Sequence, residues 1–222
     1  MDFDYIEQGD CLELMKKIPD GSIDYVFTSP PYNRKRNDVY TEYDDTRSDY
    51  LEFLSKVIEE SKRISKNAVF INLQTNYYNR SEVYSLIGKY ANEIKNIVVW
   101  KKTNPTPARK NVLCNAYELF LIFTKSNVWV CDEPTKNVIT SSVNTQTYSE
   151  HKAVMKYEVC EWFITHFTKE ESVVLDPFLG TGTTAVACVN TNRHYIGFEI
   201  SSKYFQIACD RLNEAESKVM TT

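Results

Sequence analysis

The stretch that most constrains the fold is VVLDPFLGTGTTAVACVNTNRHYIGFEI, residues 173–200. A short apolar run ends at Asp176, a turn with two glycines follows, and a helical pattern begins at Thr183. A second apolar run then ends at Glu199. Two strands joined in this way by a helix are typical of a parallel sheet. The stretch therefore predicts one βαβ unit.

Similar apolar runs alternate with helical patterns along the rest of the chain. The predicted strands are Phe3–Gln8, Ile23–Thr28, Ala68–Asn72, Ile94–Trp100, Tyr117–Thr124, Val173–Asp176 and His194–Glu199. Apolar residues at helical spacing predict a helix from Tyr50 to Ile64 with Ser48 as its N-cap, and two more around 83–90 and 204–215. Continuous apolar runs are typical of strands covered on both faces. The alternation predicts an α/β fold with a doubly wound, mostly parallel sheet.

Length and composition are those of one domain. The chain has 222 residues, of which 42% are hydrophobic, so it can bury a real core. Its least regular segments, residues 33–48 and 126–150, are predicted loops, and the second is a small insertion. No apolar run approaches the ~20 residues of a membrane helix, and the start of the chain is acidic rather than signal-like. These features predict a soluble, cytoplasmic protein with no membrane partner.

The cysteines and histidines show no spacing typical of a disulfide framework or a metal site. The six cysteines are scattered without a C-x-x-C pair, and the three histidines have no metal-ligand spacing. Widely spaced cysteines in a cytoplasmic chain are typical of reduced, buried thiols. We therefore predict neither a disulfide framework nor a metal site.

The glycine turn is compatible with two kinds of nucleotide ligand. Its two glycines and Ala185 fit the G-x-G-x-x-A fingerprint of dinucleotide-binding proteins, with Glu199 near the expected place of the acidic residue. The turn is not a P-loop, because no lysine follows the second glycine. Asp176 at the strand end would repel a pyrophosphate but suits the ammonium and sulfonium groups of S-adenosylmethionine. We therefore expect a methyl donor here, with Glu199 on its ribose hydroxyls, and a nicotinamide dinucleotide is the less favoured alternative.

A second unusual stretch, TSPPYN, follows the predicted strand that ends at Thr28. Its two prolines fix the backbone and supply no N–H donors, and Tyr32 places an aromatic ring beside them. Basic residues cluster next to it and near the end of another predicted strand, at Arg34, Lys35, Arg36, Lys101 and Lys102. On a chain of net charge −4, such clusters indicate a local anionic partner.

Together these stretches resemble the β class of amino-group DNA methyltransferases, in which the catalytic motif precedes the cofactor motif. The matching segments are GDC at 9–11, TSPPY at 28–32, WKKTNPTP at 100–107 followed by Glu118, DPFLGTGTT at 176–184 and GFE at 197–199. The resemblance covers nearly the whole chain and implies a Rossmann-like methyltransferase sheet with a circularly permuted motif order. One segment departs from it: HKAVMK at 151–156 has Lys152 and Lys156 where the family has prolines.

The resemblance also implies roles for individual residues. Catalytic roles fall to Ser29, Pro30, Pro31 and Tyr32. Cofactor contacts fall to Asp10, Cys11, Asp176, Pro177, Phe178, Gly180, Thr181, Gly182, Thr183, Thr184 and Glu199. DNA contacts fall to Arg34, Lys35, Arg36, Lys101, Lys102 and Asn104, with a solvated rim as the alternative for the two lysines at 101 and 102. S-adenosylmethionine is the expected cofactor, double-stranded DNA the expected partner, and segment 126–150 the expected target-recognition element. A homodimer and a cognate restriction enzyme are further candidate partners.

The residue types suit methyl transfer to an exocyclic amino group of a base. As its nitrogen attacks, the amino group becomes cationic, and Ser29 Oγ and the carbonyl of Pro30 can accept its N–H bonds. The base must first leave the duplex, which gives Tyr32 a stacking role. Serine at position 29 slightly favours N4 of cytosine, because aspartate is commoner in the family's adenine enzymes. Adenine N6, an RNA or protein amide substrate, and a DNA-binding module without activity are the alternatives.

Overall fold

The structure, a computed structural model, describes residues 2–34, 44–105, 111, 113–125, 135–142 and 154–220. These residues form eight strands and six helices. The strands are β1 (Tyr5–Gln8), β2 (Ile23–Thr28), β3 (Ser65–Leu73), β4 (Ile94–Lys102), β5 (Tyr117–Thr124), β6 (Val138–Ser141), β7 (Val173–Asp176) and β8 (His194–Glu199). The helices are α1 (Cys11–Met15), α2 (Tyr50–Ile64), α3 (Arg80–Lys89), α4 (Tyr157–Phe167), α5 (Thr183–Asn190) and α6 (Ser202–Val219).

The eight strands form a single sheet in the order β1-β8-β7-β2-β3-β5-β4-β6. Strand β5 is antiparallel to both of its neighbours, and every other pairing among the described strands is parallel. Alternate residues of a strand point to opposite faces, so β2 contributes Val26 to one core cluster and Tyr25 and Phe27 to the other. The first cluster includes buried residues of α1, α2 and α3, and the second those of α4, α5 and α6. The predicted doubly wound, mostly parallel sheet is confirmed.

Several predicted boundaries are wrong by a few residues. Strand β1 begins at Tyr5 instead of Phe3, because Asp4 has a left-handed backbone (φ 63°) that interrupts an extended strand. Helix α2 begins after Asp49, so Ser48 is not its N-cap. The carboxylate of Asp49 makes no capping bond either, and accepts instead from the guanidinium of Arg47 at 3.0 Å.

Three elements were not predicted. Helix α1 has only five residues, too few for a periodic apolar pattern. Helix α4 buries Val159, Cys160 and Phe163 against the sheet. Strand β6 lies within segment 126–150 and pairs in parallel with the end of β4. Residues 126–134 and 143–150 of that segment lie outside the described residues.

The strand order fixes where a ligand can bind. From β2 the chain proceeds to β3 on one side of the sheet, and from β7 it proceeds to β8 on the other side. The helices that make these two connections, α2 and α5, cover opposite faces. In open α/β sheets a crevice forms at such a switch point, outside the carboxyl ends of the strands. Both unusual sequence stretches follow these two strands.

Within the described ranges no helix has the length and apolar character to cross a membrane.

Candidate active site

A cavity opens at the carboxyl ends of β1, β2, β7 and β8. It contains about 1050 Å³ of space including its mouth, which is enough for a nucleoside-sized ligand. The predicted site residues in its wall are Asp10, Cys11, Ser29, Pro31, Tyr32, Asp176, Pro177, Phe178, Gly180, Thr181, Thr183, Thr184 and Glu199. Of the predicted catalytic and cofactor residues, Pro30 and Gly182 are not part of the wall. The structure therefore brings both sequence stretches to one cavity.

Asp176 joins the two stretches. Its carboxylate accepts hydrogen bonds from the hydroxyl of Thr28 at 2.6 Å, the hydroxyl of Thr184 at 2.6 Å and the backbone N–H of Phe178 at 3.0 Å. Burial raises the pKa of Asp176, although these three hydrogen bonds act in the opposite direction. The carboxylate thus holds the end of β2, the glycine turn and the start of α5 in fixed relation.

Glu199 is the second buried carboxylate in the wall. One oxygen accepts from the backbone N–H of Gly180 and the other from that of Ser201, each at 2.8 Å. Burial raises the pKa of Glu199, and the charge of Asp176 adds to the effect. The acid therefore ties the end of β8 to the glycine turn.

The charge of the cavity favours a cationic ligand. Asp10, Asp176 and Glu199 all face it, and no basic side chain in the described ranges forms an ion pair with any of the three. Arg47 also lines the wall, but its guanidinium is bonded to Asp49. A ligand with ammonium or sulfonium groups fits this wall, whereas a pyrophosphate would be repelled.

Helix α6 contacts the glycine turn through Arg211 and Ala208. Arg211 donates to the carbonyl and the hydroxyl of Thr181 and to the hydroxyl of Thr183. Gly182 has φ 84°, and a Cβ there would lie 3.1 Å from Cβ of Ala208. That Gly182 contacts the cofactor stays a prediction, and in this structure the glycine allows α5 and α6 to pack closely.

The segment after β1 closes the far end of the cavity. Asp10 caps α1, accepting from the backbone N–H groups of Leu12 at 2.9 Å and Glu13 at 3.2 Å. Cys11 is buried beside it, and burial together with the charge of Asp10 raises the pKa of its thiol to about 12. Cys11 is thus an apolar wall group and not a thiolate.

The loop after β2 presents hydrogen-bond acceptors. Ser29 Oγ lies 2.7 Å from the hydroxyl of Tyr32 and 3.0 Å from Oδ1 of Asn72. The carbonyl of Pro31 accepts from the hydroxyl of Tyr50 at 2.7 Å. In the described part of the chain, nothing donates to the carbonyl of Pro30. That oxygen retains its capacity to accept from a ligand.

Tyr32 is fixed at both ends. Its carbonyl accepts from the side-chain amides of Asn76 at 2.9 Å and Asn79 at 2.7 Å. Its hydroxyl donates to Asn72 and lies 3.3 Å from Glu118. The residue is only 5% exposed, and the guanidinium of Arg34 lies 5.5 Å from the ring centroid. Stacking of a base on this ring, which stays a prediction, would require Arg34 to move or the base to enter from the cavity side.

The predicted DNA contacts are divided between surface and core. Lys101 and Asn104 are exposed near the end of β4, whereas Lys35 and Arg36 lie outside the described residues. Arg34 is partly buried and donates to Gln74. The solvated rim proposed for Lys102 is wrong, because its side chain is 7% exposed. It forms an ion pair of 2.6 Å with Glu118, which is equally buried, so a duplex phosphate could not reach it in this conformation.

The segment that departs from the family pattern lies partly at the cavity. Val154 and Met155 line the wall. Lys156 caps α4 and donates to Ser142 at 2.7 Å, so its side chain joins α4 to the end of β6. His151 and Lys152 lie outside the described residues. Among the described residues no group of histidines, cysteines and acids could hold a metal.

Sequence reasoning missed several residues of the site. Asn72 and Gln74 follow the apolar run of β3, Phe53 packs its ring edge-on against Phe178 at 5.9 Å, and Arg211 holds the glycine turn. Polar residues at the carboxyl end of a parallel strand are a readable signal, and Asn72 could have been found in that way. Arg211 could not, because it lies in a helical stripe that is otherwise core.

Comparisons with known proteins agree with this geometry. A family model described as DNA methylase matches residues 23–210. The Type II methyltransferase M.HinfI of Haemophilus influenzae is 31% identical over 94% of this chain and 68% of its own length. The Type II methyltransferase M.Cfr9I of Citrobacter freundii is 26% identical over 96% of this chain and 89% of its own.

Solved structures support the fold. The PvuII DNA methyltransferase, described as cytosine-N4-specific, matches with a TM-score of 0.78 at 18% identity, over 100% of this chain and 94% of its own. The complex of M1.HpyAVI with S-adenosylmethionine matches with a TM-score of 0.67 at 24% identity, over 93% of this chain and 98% of its own. At these identities the likeness concerns the arrangement of strands and helices.

Proposed function

This chain belongs to the DNA methylase family of N6 and N4 methyltransferases, and we propose that it transfers a methyl group from S-adenosylmethionine to an exocyclic amino group of a base in DNA. One observation carries the proposal. Ser29 after β2 and the acidic wall after β7 and β8 line the same cavity, and the bond between Thr28 and Asp176 joins the two stretches. A methyl acceptor and a cationic donor would therefore meet there.

The residues of the wall suit the donor. S-adenosylmethionine, when bound, supplies an electrophilic methyl group on a sulfonium. Asp176 and the acidic wall would favour its positive charges, Glu199 would accept from its ribose hydroxyls, and Asp10 with Cys11 would border its adenine. Gly180 would allow the backbone to approach closely. From the segment in which lysines at 152 and 156 replace the family's prolines, Val154 and Met155 would contact the donor.

The loop after β2 would stabilise the charge that develops on the base. When the amino nitrogen forms its bond to the methyl carbon, the bond from that carbon to the donor's sulfur would break and leave a neutral thioether. The nitrogen then becomes positively charged and its N–H bonds need acceptors. Ser29 Oγ and the Pro30 carbonyl would accept them, and one proton then leaves to solvent. The rigid prolines keep the carbonyl in place. Unstacking the base costs a few kcal/mol, and stacking on Tyr32 would return about 1–3 kcal/mol.

The target base is proposed to be cytosine, methylated at N4, on the basis of Ser29. The alternative is adenine N6. Digesting methylated DNA to nucleosides and analysing them by mass spectrometry distinguishes the two. A product of 5-methylcytosine would refute the mechanism, because methylation at carbon needs different chemistry.

The substrate class is tested separately from the base. Transfer of labelled methyl groups to DNA, RNA and protein should be compared for the unmodified enzyme and for Tyr32→Ala and Asp176→Ala. Tyr84→Ala is the matched control, because Tyr84 is 59% exposed on α3 and outside the cavity wall. We expect transfer to DNA that both site variants lose and the control keeps. Transfer to RNA or protein alone would overturn the proposal.

Other expectations remain proposals of the same kind. Lys101, Asn104 and the basic residues 34–36 would contact phosphate, and such contacts make binding weaken as salt rises. Segment 126–150 would read the recognition sequence within a single domain. A homodimer, a cognate restriction enzyme and a cytoplasmic location are consistent with the family.

A further inference from the structure

A buried polar cluster lies behind Ser29 and consists of Ser29, Tyr32, Asn72, Glu118 and Lys102. It joins the ends of β2, β3 and β4 with the beginning of the antiparallel β5. Ser29 Oγ is 2.7 Å from the Tyr32 hydroxyl, both hydroxyls contact Oδ1 of Asn72, and the Tyr32 hydroxyl is 3.3 Å from Glu118. The side chains of Glu118 and Lys102 are each 7% exposed and lie 2.6 Å apart.

The two hydroxyls of the cluster have more acceptors around them than protons to donate. The two hydroxyls of Ser29 and Tyr32 carry one proton each. The amide oxygen of Asn72 and the carboxylate of Glu118, which forms an ion pair with Lys102, only accept. Both hydroxyl protons therefore point into the cluster.

Two protons cannot serve all three contacts among Ser29 Oγ, the Tyr32 hydroxyl and Asn72 Oδ1, so each of two proton arrangements leaves one contact without a hydrogen bond. In one, Ser29 donates to Tyr32, which donates to Asn72 or Glu118. In the other, Tyr32 donates to Ser29, which donates to Asn72. In both, the single proton of Ser29 is used inside the cluster and at least one lone pair remains for a ligand in the cavity, since no other described group forms a hydrogen bond with Ser29 Oγ.

The direction in which the Ser29 proton points matters, because a serine hydroxyl can either donate or accept a hydrogen bond. If Ser29 donated to the amino group of a base, it would occupy the nitrogen lone pair that must attack the methyl carbon. We propose that Asn72, together with Tyr32 and Glu118, fixes the proton of Ser29 inwards and so makes this serine an obligate acceptor toward the target amino group. Asn72 is thus a positioning residue, and the inference rests on the proposed function.

The proposal predicts a specific coupling between two substitutions. Tyr32→Phe keeps the ring and leaves Asn72 as an acceptor for Ser29. Asn72→Ala leaves the path from Ser29 through Tyr32 to Glu118. Each alone should lower kcat only about 3-fold, because one hydrogen bond of modest net strength is lost. The double variant removes every inward acceptor for Ser29, so its kcat should fall at least ~30-fold, more than the product of the single effects.

A third substitution distinguishes a loss of activity caused by the direction of the Ser29 proton from one caused by damage to the fold. Ser29→Asp supplies a carboxylate that accepts without help from Asn72, so adding it to the double variant should raise kcat again. Affinity for S-adenosylmethionine, measured by calorimetry, should be the same in all variants that are compared, and kcat is measured well below the thermal midpoint of the least stable variant. Losses that simply multiply, or a triple variant no faster than the double, would overturn the inference. If the unmodified enzyme transfers no methyl group to DNA in the same assay, the proposed function fails instead.

Discussion

Gly182→Ala tests whether the glycine turn is determined by packing between α5 and α6. The residue has φ 84°, where a side chain costs about 1–2 kcal/mol. The new Cβ would lie 3.1 Å from Cβ and 3.2 Å from Cα of Ala208, and crowding of this kind in a packed interior costs about 1–3 kcal/mol. Because Cα belongs to the backbone of α6, the contact cannot be relieved by a change of rotamer. We expect the free energy of unfolding to fall by about 2–5 kcal/mol.

Gly21→Ala is the matched control. Gly21 also has a left-handed backbone, with φ 57°, but its Cβ would meet no atom within 4 Å. Both substitutions reduce the entropy of the unfolded chain equally, so their difference isolates the contact with Ala208. Urea unfolding should show Gly182→Ala less stable than Gly21→Ala by about 1–3 kcal/mol. Gly21 lies before the amino end of β2, whereas the cavity lies at the carboxyl ends of the strands. Only Gly182→Ala should therefore also weaken cofactor binding. Equal stability of the two variants would refute the reasoning.

Three further predictions concern charged side chains. Arg211→Met removes the hydrogen bonds to Thr181, so calorimetry should show about 10-fold weaker binding of S-adenosylmethionine, and unchanged affinity would contradict this role. Lys102→Met leaves Glu118 buried without its charge partner and should cost about 3–5 kcal/mol in urea unfolding. Adding Glu118→Leu should recover most of that loss, and a single variant as stable as the unmodified protein would exclude a strong pair. Burial lowers the pKa of His194, but its bonds to two acids outweigh this and raise it above 6.5. Its stabilising effect is therefore complete below pH 6.5 and lost as pH rises through the raised pKa, so the stability difference between the protein and His194→Gln should shrink with rising pH.

The fold was largely readable because buried parallel strands are continuous apolar runs. Such runs identified the seven strands that begin near positions 3, 23, 68, 94, 117, 173 and 194. The short β6 was not predicted, because two of its four residues are exposed and its sequence, VITS, resembles the surrounding polar segment. Helix α1 escaped because a single turn depends on its cap at Asp10 and has no periodicity.

The site was readable only where a motif carried its chemistry. The DPF and SPPY stretches identified residues of the cavity wall that follow the adjacent strands β7 and β2. The network behind them depends on the sheet order, which places Asn72 beside Ser29 and brings Glu118 next to Lys102. Spacing along the chain does not reveal that Lys102 is an internal counter-ion, because an alternating strand end looks the same whether it faces solvent or core.

The bond between Thr28 and Asp176 spans 148 residues of sequence, although their strands are adjacent. Contacts of such separation form slowly in folding, because a long loop must close first. During synthesis the catalytic loop emerges early, whereas the acidic turn leaves the ribosome only after more than 176 residues have been made. A chain that stops before this turn therefore lacks Asp176, Glu199 and the glycine turn, and we expect it to transfer no methyl groups.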